Sequence, residues 1–570
     1  MNSWKKRFLI LLLVSLFIVS VVAGCGSSNN SKEATSNDET NNQPAATDNE
    51  TVDTDETSDS NGEVITLDFL MCWNGASSQF PEDMESSTIA QELAKKTGVM
   101  LNVETITTNE TEKLNTIFAA GDVPDIVNAP YWSTLPGGEG AAIKKAATEG
   151  LILELDPYID KFPNVKRMMT EGISQSYKEY DVEHPDYGGK HYVIPQQTPR
   201  TDADVTHWAY NVWVRQDILE ELGVEPESIN TSEKLYELMK KIQAGNFVDI
   251  NGKPVIVSGT WHNGWNYHDF LRSFSRGTVS NWRVIDGELT HWIMDPLEDQ
   301  KVLFMRKLIS EGLFDPEAYT QTDTVAKEKI ATGRVAVLNA HYPHLRDFMR
   351  QTLYKTNPEM KYVPVGPFLN AEGQVYSAKE SRGRTGSPVL FLGKDCKDPE
   401  KALGFIDYIN SDEGLLLVTY GIEGVHHTIV DGKPQLTEEW QDIKLNDPTR
   451  FVNEGLVFAS NFIGADPRPS MWPEEEDPDY ERAKEVTPLE FYDGINANFV
   501  ARDYPNREIY EENTAALDYG KEFQRATFAE TDEEALQILN EFRQKLLDAG
   551  LDDYIKYMQE ECPKIENIVY

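Results

Sequence analysis

Residues 120–127 read AGDVPDIV, so that a helix end is followed at once by the start of a strand. Leu114 and Ile117 precede this stretch at helical spacing, and a glycine such as Gly121 commonly ends a helix in the left-handed conformation. The apolar residues that begin after Asp125 are typical of a buried strand. The stretch therefore predicts a helix, a tight turn and a strand in direct succession.

Two further strands and one more helix precede this stretch. Residues 64–71 (VITLDFLM) and 99–106 read as largely buried strands. Between them Ile89 and Leu93 share one face of a helix that Gly98 is expected to end. The order strand, helix, strand, helix, strand predicts a parallel sheet with helices on its faces. In such sheets ligands bind beyond the carboxyl ends of the strands.

The chain begins with the pattern of an exported protein. Basic residues at 5–7 precede an apolar run at 8–23, which is shorter than the roughly 20 residues that a membrane-spanning helix needs. The tetrapeptide VAGC that ends at Cys25 resembles a bacterial lipobox, which implies lipid attachment to the Cys25 thiol and removal of residues 1–24 as a signal peptide. The alternative is a plain signal peptide, or a stop-transfer helix, that happens to hold a cysteine.

Residues 25–62 are predicted to form a disordered acidic tether, because they contain almost no apolar side chains that could offset the entropy of ordering. The formal net charge of −42 argues against a nucleic-acid partner, which would need a basic face. Cys72 and Cys396 lie in apolar contexts, and we expect them to be small buried residues rather than disulfide or metal ligands.

Motifs of catalysis are absent from the sequence. It contains no H-E-x-x-H, G-x-S-x-G, Walker, G-x-G-x-x-G or C-x-x-C pattern. Carboxylates are so abundant that a glycosidase pair could be drawn almost anywhere, but no pair has positional support. We therefore expect a protein that is not an enzyme and that carries no cofactor and no metal.

Aromatic residues beside planar polar residues are the informative feature of the predicted loops. A sugar ring has an apolar C–H face and a rim of hydroxyl groups, so its binding site needs flat aromatic rings with polar groups at their edges. For any single tryptophan the alternative is that it fills the core. The residues with this combination are Trp73 with Asn74, Tyr131 with Trp132, Trp261 with His262 and Trp265, and His341 with Tyr342.

Several segments, taken in chain order, resemble the family 1 extracellular solute-binding proteins of ABC importers. Residues 121–127 (GDVPDIV) match the G-D-x-P-D-[IV] signature of that family. The further matching segments are YVIP at 192–195, NVWVRQDIL at 211–219, GRVAV at 333–337 and YGIEGVHH at 420–427. The resemblance runs from about residue 64 to the end of the chain.

This resemblance implies an α/β, two-lobed periplasmic-binding-protein-like fold with interleaved lobes and a ligand cleft between them. Residues 63–198 would form the first part of the N-lobe and residues 199–364 the main part of the C-lobe. Residues 365–570 would supply segments that return between the lobes, followed by C-terminal helices.

The family also implies which loops contact the ligand, namely those after the first strand, after the PDIV strand and after the GRVAV strand. Asp125 of the signature is counted with these ligand-binding candidates. Arg384 is a further candidate, as a bidentate partner of an acidic sugar or else as a surface ion pair. Many relatives carry a calcium loop where this chain has Phe247 and Ser258 in place of ligands, so we expect a plain turn at residues 251–252 and no bound calcium.

The implied function is that of a substrate-binding lipoprotein on the outer face of the cell membrane, in a Gram-positive bacterium. It would act as a monomer, capture an oligosaccharide and deliver it to the permease subunits of an ABC importer. The alternatives are an anchored extracellular enzyme that degrades glycans and a peptide-binding protein.

Replacing Trp132 with alanine is expected to weaken sugar binding at least tenfold, or about 1.4 kcal/mol, without unfolding the protein. The loss of one aromatic face that stacks on a sugar ring would be the cause. A binding titration measures it, and an unchanged affinity would assign Trp132 to the core or to the rim of the site.

Overall fold

The structure is a computed structural model of the chain. It describes residues 63–73, 80–106, 109–131, 138–205, 207, 209–261, 267–382, 388–456 and 477–570. The predicted signal peptide, Cys25 and the predicted tether lie outside these residues. Residues Asp59–Tyr570 form one compact unit that contains both of the larger sheets described below.

The first sheet has five strands, and most of it comes from the start of the described chain. In spatial order the strands are Val99–Thr105, Ile65–Met71, Ile126–Ala129, Val389–Leu392 and Ile194–Pro195. The first three are parallel, which confirms the predicted strand and helix alternation. The strand from far along the chain, Val389–Leu392, runs antiparallel to both of its neighbours.

The helices that connect the first three strands end as the glycines predict. Thr88–Thr97 is capped by Gly98, and Glu110–Ala120 is capped by Gly121. Both glycines are left-handed, with φ angles of 70° and 68°, a conformation that costs glycine little. The polypeptide can therefore turn sharply from each helix into the next strand.

The second sheet has four strands, in the spatial order Tyr362–Pro364, Tyr210–Arg215, Val335–His341 and Ile256–Thr260. Val335–His341 is buried along its whole length and runs parallel to Ile256–Thr260. Tyr210–Arg215 is antiparallel to both of its neighbours. We call the two sheets with the helices packed on them the first lobe and the second lobe.

Four two-stranded pairings complete the β-structure of the described residues. They are Trp282–Ile285 with Glu288–His291, Ala378–Ser381 with Leu489–Tyr492, His427–Val430 with Lys433–Leu436, and Ile495–Asn496 with Ile568–Val569.

The remaining α-helices are distributed over both lobes. They are Glu139–Thr148, Pro163–Thr170, Gln175–Tyr177, Gln216–Leu222, Ser232–Ala244, Leu297–Ser310, Asp323–Ala331, Tyr342–Gln351, Leu353–Thr356, Pro399–Ile409, Asp412–Tyr420, Glu438–Asn446, Pro448–Glu454, Pro478–Val486, Ala497–Val500, Arg507–Thr514, Tyr519–Thr527, Asp532–Asp548 and Leu551–Glu561. Across the described residues, none of the helices combines the length and the apolar character that crossing a bilayer requires.

Side chains of the first sheet alternate between two hydrophobic clusters, as successive residues of a strand point to opposite faces. Phe69 and Met71 belong to one cluster, and Leu70 and Cys72 belong to the other. The three described cysteines are buried and free, which confirms the predicted burial of Cys72 and Cys396, whereas their expected lack of a metal stays a prediction. Burial raises the pKa of the Cys72 thiol to about 12.

The C-terminal helices pack into the core of the second lobe. Tyr519–Thr527 and Asp532–Asp548 contribute buried residues to the same hydrophobic cluster as Leu297–Ser310. The last part of the chain therefore completes a core that residues 210–365 begin. The predicted boundaries at residues 198 and 364 themselves stay predictions.

The loop at the predicted calcium position is a closed turn. Asp249 Oδ1 accepts hydrogen bonds from the backbone N–H groups of Asn251 at 2.8 Å and Lys253 at 2.9 Å. The Gly252 N–H also donates to the Asp249 carbonyl, and Phe247 packs against the second-lobe core. The turn is therefore confirmed, whereas the expected lack of calcium stays a prediction.

Asp125 lies at the amino end of Ile126–Ala129, where it holds three chain segments together. Its Oδ2 accepts from the Asp68 N–H at 2.8 Å, and its Oδ1 accepts from the Lys397 N–H at 2.7 Å. The Lys397 ammonium lies 3.1 Å from Oδ2. The signature aspartate thus fixes the strand it precedes to a neighbouring strand and to the loop after Val389–Leu392.

Replacing Asp125 with alanine is expected to lower the free energy of unfolding by about 1–3 kcal/mol, because two backbone donors lose their acceptor. Chemical denaturation measures the change. Asp395→Ala is the control, since this neighbouring carboxylate is 80% exposed and should change stability by less than about 0.5 kcal/mol. Equal stability of the two variants would contradict a structural role for Asp125.

Candidate ligand-binding site

Trp73 and Tyr131 mark the carboxyl edge of the first sheet. Trp73 follows the strand Ile65–Met71, and Tyr131 follows Ile126–Ala129. These two strands are parallel neighbours, so both aromatic residues lie at the same edge. Trp73 is half-buried against the first-lobe core, and Tyr131 is buried. The structure therefore brings together two of the candidates that the sequence placed in separate loops.

Tyr131 lies on a buried polar layer. Its ring meets that of Tyr177 edge-on, with 5.9 Å between the ring centroids. Burial, together with the nearby Asp181 carboxylate, raises the pKa of the Tyr131 hydroxyl well above its ordinary range. Asp181 forms an ion pair of 2.7 Å with Arg502, which tempers the rise that burial causes in the Asp181 pKa. The Tyr131 hydroxyl thus stays protonated, and the layer joins the first lobe to the C-terminal segment.

The second sheet repeats this arrangement with other residues. Trp261 follows Ile256–Thr260, His341 ends Val335–His341, and Tyr342 begins the next helix. Because these two strands are parallel neighbours, the three residues collect at one carboxyl edge. Trp261 and Tyr342 also share one hydrophobic cluster. The structure therefore also brings together the three described candidates of the second lobe.

Tyr342 is held rigidly between two other aromatic rings. It stacks on Trp213 at 4.9 Å and on Tyr480 at 5.5 Å, with interplanar angles of 21° and 10°. Its hydroxyl donates to Asp477 Oδ1 at 2.7 Å. Burial, this hydrogen bond and the Asp477 charge raise the pKa of Tyr342 far above its ordinary range. Tyr342 is thus a neutral donor with a fixed orientation.

Trp261 is packed under the edge in this structure. Its side chain is buried, and its ring meets that of Phe348 at 5.2 Å and 87°. Trp261 therefore fills the core, which is the alternative to a ligand contact for any single tryptophan. His341 and Tyr342 are buried as well, so none of these three residues presents an accessible ring.

Tyr210 is an exposed aromatic residue of the second edge that the sequence did not reveal. It is 36% exposed, and its ring lies 5.0 Å from that of His341. Tyr210 begins a strand instead of ending one, but this strand runs antiparallel to Val335–His341 and pairs Tyr210 with His341. The only signal that could have found it is the strand register, which a sequence pattern does not contain.

Arg272 supports this edge from inside the lobe, where it is almost completely buried. Its guanidinium donates to Asp269 Oδ1 at 3.0 Å and to Thr487 Oγ1 at 2.8 Å. It also donates to the Tyr210 carbonyl. A buried cation needs such partners, and these partners come from three separate stretches of the chain.

Asn339 and Asn211 extend the same hydrogen-bond network into the sheet. The Asn339 amide donates to the Asn211 carbonyl at 3.1 Å and to the Asp269 carboxylate. Thr487 donates to Asn211 Oδ1 at 2.6 Å. Both asparagines are buried, so the network fixes the backbone from which Tyr210 and His341 project.

Not every predicted site residue lies at these edges. Asp125 is at the opposite, amino end of its strand, where both carboxylate oxygens have partners, and a ligand contact for it stays an untested prediction. Five further candidates lie outside the described residues, so their roles also stay predictions: Asn74, Trp132, His262, Trp265 and Arg384.

The sequence model of the family described as bacterial extracellular solute-binding protein matches residues 82–415, more than half of the chain. The chain belongs to this family. Among curated proteins it is similar to the polygalacturonan/rhamnogalacturonan-binding protein YtcQ of Bacillus subtilis, with 22% identity over 58% of this chain and 61% of YtcQ. It is also similar to the fructooligosaccharide ABC transporter substrate-binding protein FusA of Streptococcus pneumoniae, with 26% identity over 45% of this chain and 46% of FusA. The chain thus spans about half to three fifths of these curated relatives.

Solved structures of the same type match almost the whole fold. The alginate-binding protein AlgQ2 superposes with a TM-score of 0.62 at 19% identity, over 87% of this chain and 98% of AlgQ2. FusA of S. pneumoniae in complex with kestose superposes with a TM-score of 0.59 at 18% identity, over 87% and 98% of the two chains. The predicted two-lobed periplasmic-binding-protein-like fold is therefore confirmed.

Replacing Tyr210 with alanine is expected to weaken ligand binding at least tenfold, about 1.4 kcal/mol, because an exposed ring at the second edge is lost. Its partial exposure should keep the stability loss small. Isothermal titration measures the affinity, and Phe528→Ala provides the control, since Phe528 is an exposed aromatic residue of the C-terminal helices. Equal affinities of the two variants would remove Tyr210 from the site.

Proposed function

We propose that this protein is a membrane-anchored extracellular substrate-binding protein that captures an oligosaccharide and delivers it to an ABC importer. One observation carries the proposal. Aromatic residues lie at the carboxyl edge of the parallel strands in each sheet, where the half-buried Trp73 on the first lobe and the exposed Tyr210 on the second present their rings. The buried Tyr131, His341 and Tyr342 support these two edges from below. Two such edges are what a ligand cleft between lobes requires.

The choice of a sugar rests on the chemistry of these edges and on the relatives. Flat rings beside hydrogen-bonding groups suit the apolar face and the hydroxyl rim of a pyranose or furanose. YtcQ is named as a polygalacturonan/rhamnogalacturonan-binding protein and FusA as a fructooligosaccharide ABC transporter substrate-binding protein, and both names support an oligosaccharide ligand here.

Capture would proceed by closure of the two lobes around the ligand. The chain passes from the first sheet to the second after Pro195 and returns after Ser381. Arg382, at the second passage, pairs with Asp202 of the first passage at 2.7 Å and with Asp493 at 3.2 Å. These pairs are largely exposed and therefore weak, so they would guide a bending motion without preventing it.

Delivery would need a position close to the permease subunits. Lipid attached to Cys25 would hold the protein at the outer face of the cell membrane, and the acidic tether would let the lobes reach the transporter. Binding and release would be the whole chemistry, with no covalent change to the sugar.

A thermal-shift screen of the chain from residue 26, against plant and microbial oligosaccharides, tests this function. A ligand at one hundred times its dissociation constant should stabilise the folded state by about 2.7 kcal/mol, and the sugar should be recovered intact. Chromatography of every hit shows whether it is intact. Shortened products would replace the proposal by a glycan-degrading enzyme. Stabilisation by peptides but by no sugar would replace it by a peptide-binding protein.

A further inference from the structure

A cavity of about 680 Å³ lies apart from the two aromatic edges. Its walls are the loop at residues 276–281, the turn at 370–377, and the paired strands Ala378–Ser381 and Leu489–Tyr492. This volume lies within the range of small-molecule sites in proteins. The two strands each contribute one charged side chain, Lys379 and Glu490, which pair with one another.

A second, smaller cavity of about 180 Å³ adjoins the first. The two share Arg276, Thr278 and Tyr376 in their walls. We call them together the paired cavity. Its two parts differ in chemistry, since side-chain amides and hydroxyls line much of the larger part and mostly charged groups line the smaller one.

Arg272 links a wall residue of the paired cavity, Tyr376, to the second aromatic edge. One side of its guanidinium donates to the Tyr210 carbonyl at that edge. The ring of Tyr376, which lines the cavity, lies 4.6 Å from the same guanidinium. Tyr376 and Arg272 therefore connect the wall of the paired cavity to the backbone of Tyr210.

The amides of the larger part are oriented by the backbone. Asn370 Oδ1 accepts from the N–H groups of Glu372 at 3.0 Å and Gln374 at 2.9 Å. Asn498 Oδ1 accepts from the Asn281 N–H at 2.8 Å. Because the oxygens of Asn370 and Asn498 are occupied in this way, their NH₂ groups remain as donors. Preoriented donors of this kind suit the hydroxyl oxygens of a sugar.

Arg283 is the distinctive group of the smaller part. The other cations there have carboxylate partners, since Arg276 pairs with Asp295 and Lys301 with Glu298, each at 2.6 Å. Arg283 donates only to backbone carbonyls, and no carboxylate of the described residues pairs with it. Burial lowers the pKa of its guanidinium, and the charges of the nearby Glu298 and Asp295 carboxylates offset this lowering only in part.

We infer that the paired cavity binds a small acidic sugar of the size of one hexuronate. Its carboxylate would lie on Arg283 as a bidentate partner, and its hydroxyls would meet the amides of Asn370 and Asn498. This site is separate from the cleft of the proposed function and does not depend on it. Since Lys379 and Glu490 belong to the strands that lead into the passage between lobes, an occupied cavity would also stiffen that passage.

Titration calorimetry of the full chain with D-glucuronate tests the inference. D-glucose lacks the carboxylate and acetate lacks the hydroxyls, so each should bind at least tenfold more weakly than D-glucuronate. Arg283→Gln should weaken D-glucuronate binding at least tenfold, with little effect on the affinity for D-glucose. Arg525→Gln is the matched control, because Arg525 is a half-exposed arginine that pairs with Glu522 away from the cavity.

Asn281→Trp is a second variant that keeps the test independent of how Arg283→Gln folds. The Asn281 side chain is exposed at the wall of the larger part, so the indole would fill the cavity without disturbing the core. It should also weaken D-glucuronate binding at least tenfold.

Three results would overturn the inference. The first is no heat of binding with D-glucuronate at millimolar concentrations. The second is equal binding of acetate, which would reduce the site to a simple carboxylate site. The third is binding that Tyr210→Ala removes while Arg283→Gln and Asn281→Trp preserve it, which would place the sugar at the strand edges.

Discussion

The buried guanidinium of Arg272 is the interaction on which the second lobe depends most. It joins Asp269, Thr487 and the Tyr210 carbonyl, three groups that lie far apart in the sequence. A charge in this position is tolerated only because all of these acceptors are in place, so the network specifies one arrangement of the strand edge. The same side chain also contacts the ring of Tyr376, which lines the paired cavity.

The first lobe reaches an equivalent result with a buried carboxylate. Asp125 accepts from two backbone N–H groups at the amino end of its strand, and thereby fixes the opposite end, where Tyr131 follows. In both lobes a buried polar group therefore helps to determine where the aromatic residues lie, Asp125 from the opposite end of its strand and Arg272 through the Tyr210 carbonyl. The shared geometry of parallel strands then directs these residues to one side of each sheet.

Local sequence patterns predicted those parts of the fold that local contacts determine. The first three strands, their two glycine-ended helices and the edge positions of Trp73 and Tyr131 all follow from short stretches of sequence. The antiparallel strand Val389–Leu392 and the exposed Tyr210 were not predicted, because both depend on pairing between segments that are distant in the chain. The same holds for the core role of Asp125, whose partner Lys397 lies far along the sequence.

The central claim is that the two aromatic edges face one ligand, and a crystal structure of the chain with the oligosaccharide that stabilises it most tests this directly. The account predicts an intact sugar in contact with Trp73 or Tyr131 on one side and with Tyr210 and His341 on the other. A sugar bound to one lobe only or elsewhere on the surface, or one already shortened, would contradict it.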